Sequence, residues 1–188
     1  MPDDRLPPGQ HWAKEKFPVL DLGIHPKIPT ETWRLAVSGL VENPLDLDWD
    51  AFSALPRVEE AGDFHCVTTW SVRDAVWGGV PFSEILGLAR PRPEARFAFL
   101  TSYDGYTTNV PLAALEAPGA LLADRLAGEA LPLKHGGPVR VVIPRLYAWK
   151  SAKFIKSIEL RAEDEPGYWE KRGYSDSADP WAEERFRA

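Results

Sequence analysis

The chain's single cysteine, Cys66, sits in Asp63-Phe64-His65-Cys66-Val67-Thr68-Thr69-Trp70-Ser71, so any thiolate chemistry falls to one residue. A sulfur in such a mixed polar and aromatic segment has three roles open to it: small buried hydrophobe, nucleophile, or ligand to a soft or high-valent metal. A nucleophile needs a base. His65 adjoins Cys66, but neighbours on a strand point to opposite faces. His135 is the other base for a thiol enzyme, and no glutamine-cysteine or Cys-Gly-Ser-Cys signature surrounds Cys66.

A second concentration of chemistry lies downstream. From Lys134 to Arg161 the bases Lys134, Arg140, Arg145, Lys150, Lys153, Lys156 and Arg161 face one acid, Glu159, in a chain of net charge -6. His135-Gly136-Gly137-Pro138 and Ser151-Ala152-Lys153 set small residues beside cations, a combination that admits a bound phosphate. A solvated strand face carrying lysines is the plainer reading of the same bases. Neither G-x-x-x-x-G-K-[ST] nor G-x-G-x-x-G is present, so nucleotide hydrolysis and dinucleotide binding lack their signatures. His11, His25, His65 and His135 are too scattered for a helical metal motif, and structural zinc would need further cysteines. The acidic balance argues against a general nucleic-acid surface.

These residues must be positioned by short elements. Trp33–Gly39 alternates apolar and polar positions and predicts a half-buried strand. Residues 48–55 predict a short helix capped by Asp48 and stopped by Pro56, and Val58–Thr68 a strand leading into the cysteine loop. Residues 81–88 predict a second helix with Pro81 at its start. Strands follow at 96–102, 106–110, 120–124 and 139–143, with a helix start at Pro111. Many short strands with few short helices predict an α+β fold in a single domain, residues 1–188.

The first 29 residues carry six prolines and predict an extended arm, which Trp12, Phe17, Val19 and Leu20 would pack on the domain. The tail, 163–188, holds Tyr168, Trp169, Tyr174, Trp181 and Phe186 and is expected to dock as well. The start Met1-Pro2-Asp3-Asp4-Arg5 has neither region of an export signal, and a lone cysteine makes no intrachain disulfide, so a cytoplasmic place is expected. No apolar run approaches the ~20 residues of a membrane span.

Taken together, Phe64-His65-Cys66-Val67-Thr68-Thr69-Trp70-Ser71, Trp77-Gly78-Gly79-Val80-Pro81-Phe82, His135-Gly136-Gly137-Pro138-Val139-Arg140 and Trp149-Lys150-Ser151-Ala152-Lys153 resemble the molybdenum-cofactor domain of the sulfite oxidase family. The resemblance spans about residues 30–161 and implies a sulfite-oxidase-type molybdopterin-binding fold. It implies molybdenum held by one pterin dithiolene, with Cys66 as the protein's metal ligand. His65, His135, Arg140, Lys150, Ser151 and Lys153 would join Cys66 in binding the cofactor, and Trp70 and Tyr106 would stand with Cys66 at the reacting centre. Tyr106 keeps its alternative as a half-buried strand tyrosine.

Departures from the family pattern narrow the expected chemistry. Sulfite oxidases carry an arginine five residues after the metal-bound cysteine, where this chain has Ser71; Arg73 is the nearest replacement. The Trp70-Ser71 pair is similar to the bacterial methionine-sulfoxide-reductase branch. The Phe-x-Arg-x-His segment of many relatives is absent from the arm, leaving Gln10, His11, Lys14 or Lys16 to substitute. The implied function is oxygen-atom transfer on a small oxyanion, S-oxide or N-oxide, reduction of an oxide being favoured over sulfite oxidation, with electrons exchanged through a separate partner. A non-catalytic molybdopterin carrier or sensor is the alternative.

Overall fold

Leu35 and Val37 are fully buried while Arg34, Ser38 and Gly39 face outward, so the alternation that marks this segment becomes β2 (Arg34–Gly39). The computed structural model describes residues 4–14 and 17–187. In chain order the remaining elements are β1 (His11–Trp12), β3 (Leu45–Asp48), α1 (Trp49–Ser53), β4 (Val58–His65), β5 (Trp70–Pro81) and α2 (Phe82–Ala89). They continue with β6 (Phe97–Ser102), β7 (Thr107–Pro111), α3 (Leu112–Glu116), β8 (Leu121–Leu126), β9 (Glu129–Ala130), β10 (Arg140–Val142) and β11 (Ile155–Arg161). As expected, Asp48 caps α1, its carboxylate accepting from the Ala51 N–H at 2.9 Å.

Two sheets form. In the first, β5 runs between β4 and β8, β10 follows β8, and the two-residue β1 pairs in parallel with the start of β5. The second has the order β3-β2-β11-β6-β7, with β11 parallel to β2 and antiparallel to β6. The main core lies among Trp33, Leu35, Phe52, Val80, Phe82, Ile85 and Leu100. A second apolar cluster, Phe64, Trp77, Leu121, Ala123 and Val142, is covered by Phe17 from the arm. Phe17 thus packs the arm on the domain as expected, whereas Val19 and Leu20, expected to pack with it, are exposed.

Sequence alternation misses the long strands β5 and β11 as well as the short β1, β3 and β9. Gly78-Gly79 breaks the apolar pattern inside β5, where a Cβ on Gly79 would stand 2.0 Å from the Leu122 carbonyl oxygen. The glycine permits close strand approach at a register shift rather than ending the strand. In β11 a register shift between Ile155 and Ser157 interrupts the apolar alternation, and the basic residues dominate its appearance. No helix among the described residues is long and apolar enough to cross a membrane.

Candidate active site

Cys66 occupies the loop that joins β4 to β5. The Cys66 N–H donates to the Trp70 carbonyl at 2.9 Å, and the Thr69 N–H donates to the Cys66 carbonyl at 3.1 Å. Thr69 takes a left-handed φ of 77°, a conformation a non-glycine residue holds only when its surroundings enforce it. That enforcement comes from both ends of the chain. Gln10 donates through Nε2 to the Cys66 carbonyl (3.0 Å), and its Oε1 accepts from Ser71 Oγ (3.2 Å). With the Ser71 proton so engaged, His65 Nδ1 donates to Ser71 Oγ at 2.8 Å. From the tail, the Arg185 guanidinium donates to the Val67 carbonyl.

The Cys66 sulfur is 3.2 Å from Thr68 Oγ1 and 5% of the residue is exposed. Burial pushes the thiol pKa up, although Thr68 and the Val67 backbone oppose it. Such a group is a poor free nucleophile and a serviceable metal ligand, since coordination removes the proton that burial retains. Neither histidine is bonded to it: His65 is committed to Ser71, and burial holds its pKa down.

The loop borders a cavity of about 350 Å³. Cys66, Trp70, Tyr106, His135, Arg140, Ser151 and Lys153 all line it, although up to 87 positions separate them. His65 and Lys150 do not. His65 braces the loop from behind, and Lys150, expected beside the cofactor, instead has a fully buried ammonium 2.6 Å from Glu170 Oε1 and 2.8 Å from the Asn109 carbonyl. A cation in the right stretch of sequence therefore points away from the cavity, because Glu170 and Asn109 take up its charge.

Arg140 and Lys153 supply the cationic wall. Arg140 is 3% exposed and gives one hydrogen bond each to the carbonyls of Val141, His135 and Ser151, at 3.2, 2.9 and 2.8 Å. Its guanidinium lies 5.3 and 5.2 Å from the Phe64 and Trp77 rings. Among the described residues no carboxylate pairs with it, and burial pulls its pKa down to about 9. A buried guanidinium whose acceptors are neutral carbonyls calls for an anion. Lys153 reaches Asp21 Oδ2 (3.0 Å) and the Lys134 carbonyl (2.9 Å). Its stem passes so close to Gly136 that a Cβ there would be 2.9 Å from Lys153 Cβ, which is why the His135-Gly136-Gly137 run is needed. Burial, Arg140, Lys134 and Lys153 together lower the His135 pKa to about 4, leaving the ring neutral near pH 7. The Phe17 ring covers it at 5.0 Å.

Another part of the wall is aromatic. The Tyr106 hydroxyl donates to the Trp149 carbonyl at 2.6 Å, and burial keeps its proton in place. Tyr174 packs against Trp149 (5.2 Å) and Trp169 (5.0 Å), and all three line the cavity with Tyr106. No cation adjoins this group from the cysteine loop: Ser71 is turned toward Gln10, and the Arg73 guanidinium sits 4.4 Å over the Trp12 ring. The arm lines the cavity through Phe17, Pro18, Leu20, Asp21 and Leu22, rather than through Gln10, His11 or Lys14; Lys16 lies outside the described residues. Trp149, Trp169 and Tyr174 escape sequence reasoning as wall residues, although the aromatic content of the tail signals that it docks.

This donor set fits an anionic metal–pterin group, offering a thiol, a buried unpaired guanidinium and a cavity of suitable size. Residues 22–169 match the family described as oxidoreductase molybdopterin binding domain. The chain is 43% identical to the uncharacterized oxidoreductase YuiH of Bacillus subtilis, over 97% of this chain and 92% of that one. It is 30% identical to the putative protein-methionine-sulfoxide reductase subunit YedZ1 of Azospira oryzae, over 79% of this chain and 56% of that one. It is also 30% identical to the protein-methionine-sulfoxide reductase catalytic subunit MsrP of Campylobacter jejuni, over 75% and 53%. The chain spans about half the length of these last two relatives. The crystal structure of the sulfane dehydrogenase SoxCD from Paracoccus pantotrophus superposes with a TM-score of 0.70 at 21% identity, covering 79% of this chain and 42% of that one. That likeness bears out the expected α+β, sulfite-oxidase-type fold. With profile and relatives in agreement, the chain belongs to the oxidoreductase molybdopterin binding domain family.

Proposed function

We propose that this oxidoreductase binds molybdenum with a single molybdopterin and reduces a small neutral S-oxide or N-oxide. One observation carries the substrate class: Trp70, Tyr106, Trp149, Trp169 and Tyr174 line the cavity, while the two cations that line it among the described residues, Arg140 and Lys153, would be taken up by the cofactor's own phosphate rather than by substrate. A neutral, polarisable oxide suits aromatic faces, whereas a dianion such as sulfite would need a cation beside the metal ligand. The names of two relatives, both methionine-sulfoxide reductases, agree with this reading.

When bound, the metal supplies two-electron oxygen-atom exchange, chemistry no side chain provides. Cys66 would furnish the thiolate donor, and Arg140, Lys153 and His135 the contacts to the pterin and its phosphate. Ser151 supports them indirectly, its carbonyl accepting from Arg140 and its hydroxyl from the Ile143 N–H at 3.0 Å. Tyr106 holds a protonated hydroxyl on the wall, which would leave the Trp149 carbonyl to meet a substrate oxygen. Phe17 and Asp21 from the arm and Trp169 and Tyr174 from the tail close the cavity, so arm, domain and tail act as one cofactor unit. Reducing one oxide consumes two electrons and two protons, and we assign the electrons to a separate protein donor.

The test supplies holo-protein with reduced viologen and a panel of dimethyl sulfoxide, methionine sulfoxide and trimethylamine N-oxide, and separately with sulfite and ferricyanide. Oxide-dependent viologen oxidation without sulfite turnover is expected. Faster sulfite oxidation would overturn the substrate class, and a molybdenum-loaded protein inert to all four would be the carrier instead.

A further inference from the structure

We propose that Asp21 is a resident anion of the cationic pocket: it holds Lys153 until a phosphate-bearing ligand takes that cation, and so sets how tightly the ligand is kept. The ligand's identity as a pterin phosphate rests on the function proposed above; the exchange at Lys153 does not. Asp21 Oδ2 is 3.0 Å from Lys153 Nζ, with 12% and 14% of the two side chains exposed, and both residues line the cavity with Arg140. A phosphate drawn to the unpaired Arg140 guanidinium therefore enters beside a carboxylate, and Asp104 on the same wall adds to the repulsion.

The pair is built to open. Asp21 Oδ1 also accepts from the Gly23 N–H at 2.9 Å, and Oδ2 lies 2.7 Å from His25 Nε2. Both of those partners belong to the arm itself. Asp21 can thus release Lys153 and stay hydrogen-bonded, whereas Lys153 keeps one neutral carbonyl, that of Lys134, and is free to take a new anion.

The experiment compares wild type, Asp21→Asn and Asp21→Ser, each alone and in a Lys153→Ala background. Both substitutions remove the charge and keep an acceptor for Gly23, so the arm retains its turn. Inorganic phosphate is titrated calorimetrically into the full chain from a host without the cofactor pathway. Pterin loss from the holo-protein is followed by fluorescence after gel filtration. We expect phosphate to bind about tenfold tighter and pterin to leave more slowly after either substitution, with the difference shrinking once Lys153 is alanine, when only the direct repulsion from Asp21 remains to be removed. Equal or weaker phosphate binding, or faster pterin loss, would overturn the proposal and make Asp21 a clamp for the arm. Tighter phosphate binding in a protein that never carries pterin would uphold the exchange and remove the cofactor reading.

Discussion

Lys150 Nζ and Glu170 Oε1 stand 2.6 Å apart with neither side chain exposed to solvent. The same carboxylate oxygen accepts from Trp149 Nε1 at 2.9 Å and Thr108 Oγ1 at 2.8 Å. Trp149 in turn accepts the Tyr106 hydroxyl, so one buried ion pair anchors the aromatic wall. Burial lowers the Lys150 pKa and Glu170 opposes that shift. Glu170→Ala should cost about 3–5 kcal/mol, because it strands a buried ammonium. The double change Lys150→Met with Glu170→Gln, which removes both charges and keeps an acceptor for Trp149 and Thr108, should recover part of that loss and still retain pterin. Urea unfolding measures the first, and pterin content of the double variant the second; loss of pterin there would give Lys150 a cofactor contact after all.

Cys66→Ala should abolish molybdenum binding while changing stability by about 1 kcal/mol or less, since the sulfur's side-chain partner is a single hydroxyl and the loop is held through backbone groups. Elemental analysis beside a melting curve tests both halves. Full metal occupancy in the variant would remove Cys66 from the ligand set.

His135 should make the protein less stable in mild acid. Its folded pKa of about 4 lies below the ordinary 6.5, so between those values the unfolded chain binds more protons than the folded one. Stability contributed by the neutral ring is therefore complete above about pH 6.5 and is lost progressively as the pH falls toward 4. His65, also shifted down by burial, acts in the same direction. His135→Gln should flatten, without abolishing, the slope of unfolding free energy over that window. An unchanged slope would place the sensitivity elsewhere.

What the sequence disclosed follows from how far each contact reaches. The cysteine loop and the His135-Gly136-Gly137 turn are legible because their residues are contiguous and their chemistry is local. The walls from Phe17, Asp21, Trp169 and Tyr174 are not, since these residues meet Cys66 only through the tertiary fold. Lys150 shows the limit within a motif: residue type and neighbourhood mark a cation, but Glu170, 20 positions later, decides where it points. In β5 the hidden variable is the Leu122 carbonyl facing Gly79, which no local pattern records.

Gly136 and Gly128 separate conformational strain from a specific clash. Both hold positive φ, 105° and 80°, so alanine at either is strained, at a cost of about 1–3 kcal/mol. A Cβ on Gly128, in the turn between β8 and β9, would meet nothing within 4 Å, whereas one on Gly136 would press on the Cα, Cβ and Cγ of Lys153 at 2.9–3.0 Å. Gly136 also carries the carbonyl that accepts from the Phe154 N–H at 3.2 Å, so the backbone beside Lys153 has little room to retreat. Gly128→Ala should therefore lower the melting temperature and leave cofactor content intact. Gly136→Ala should do both kinds of damage, because displacing Lys153 disturbs the cationic wall as well as the turn. Denaturant midpoints and pterin content measured on the same preparations distinguish the two, and equal pterin retention in both variants would show that the path of Lys153 past Gly136 is irrelevant to holding the cofactor.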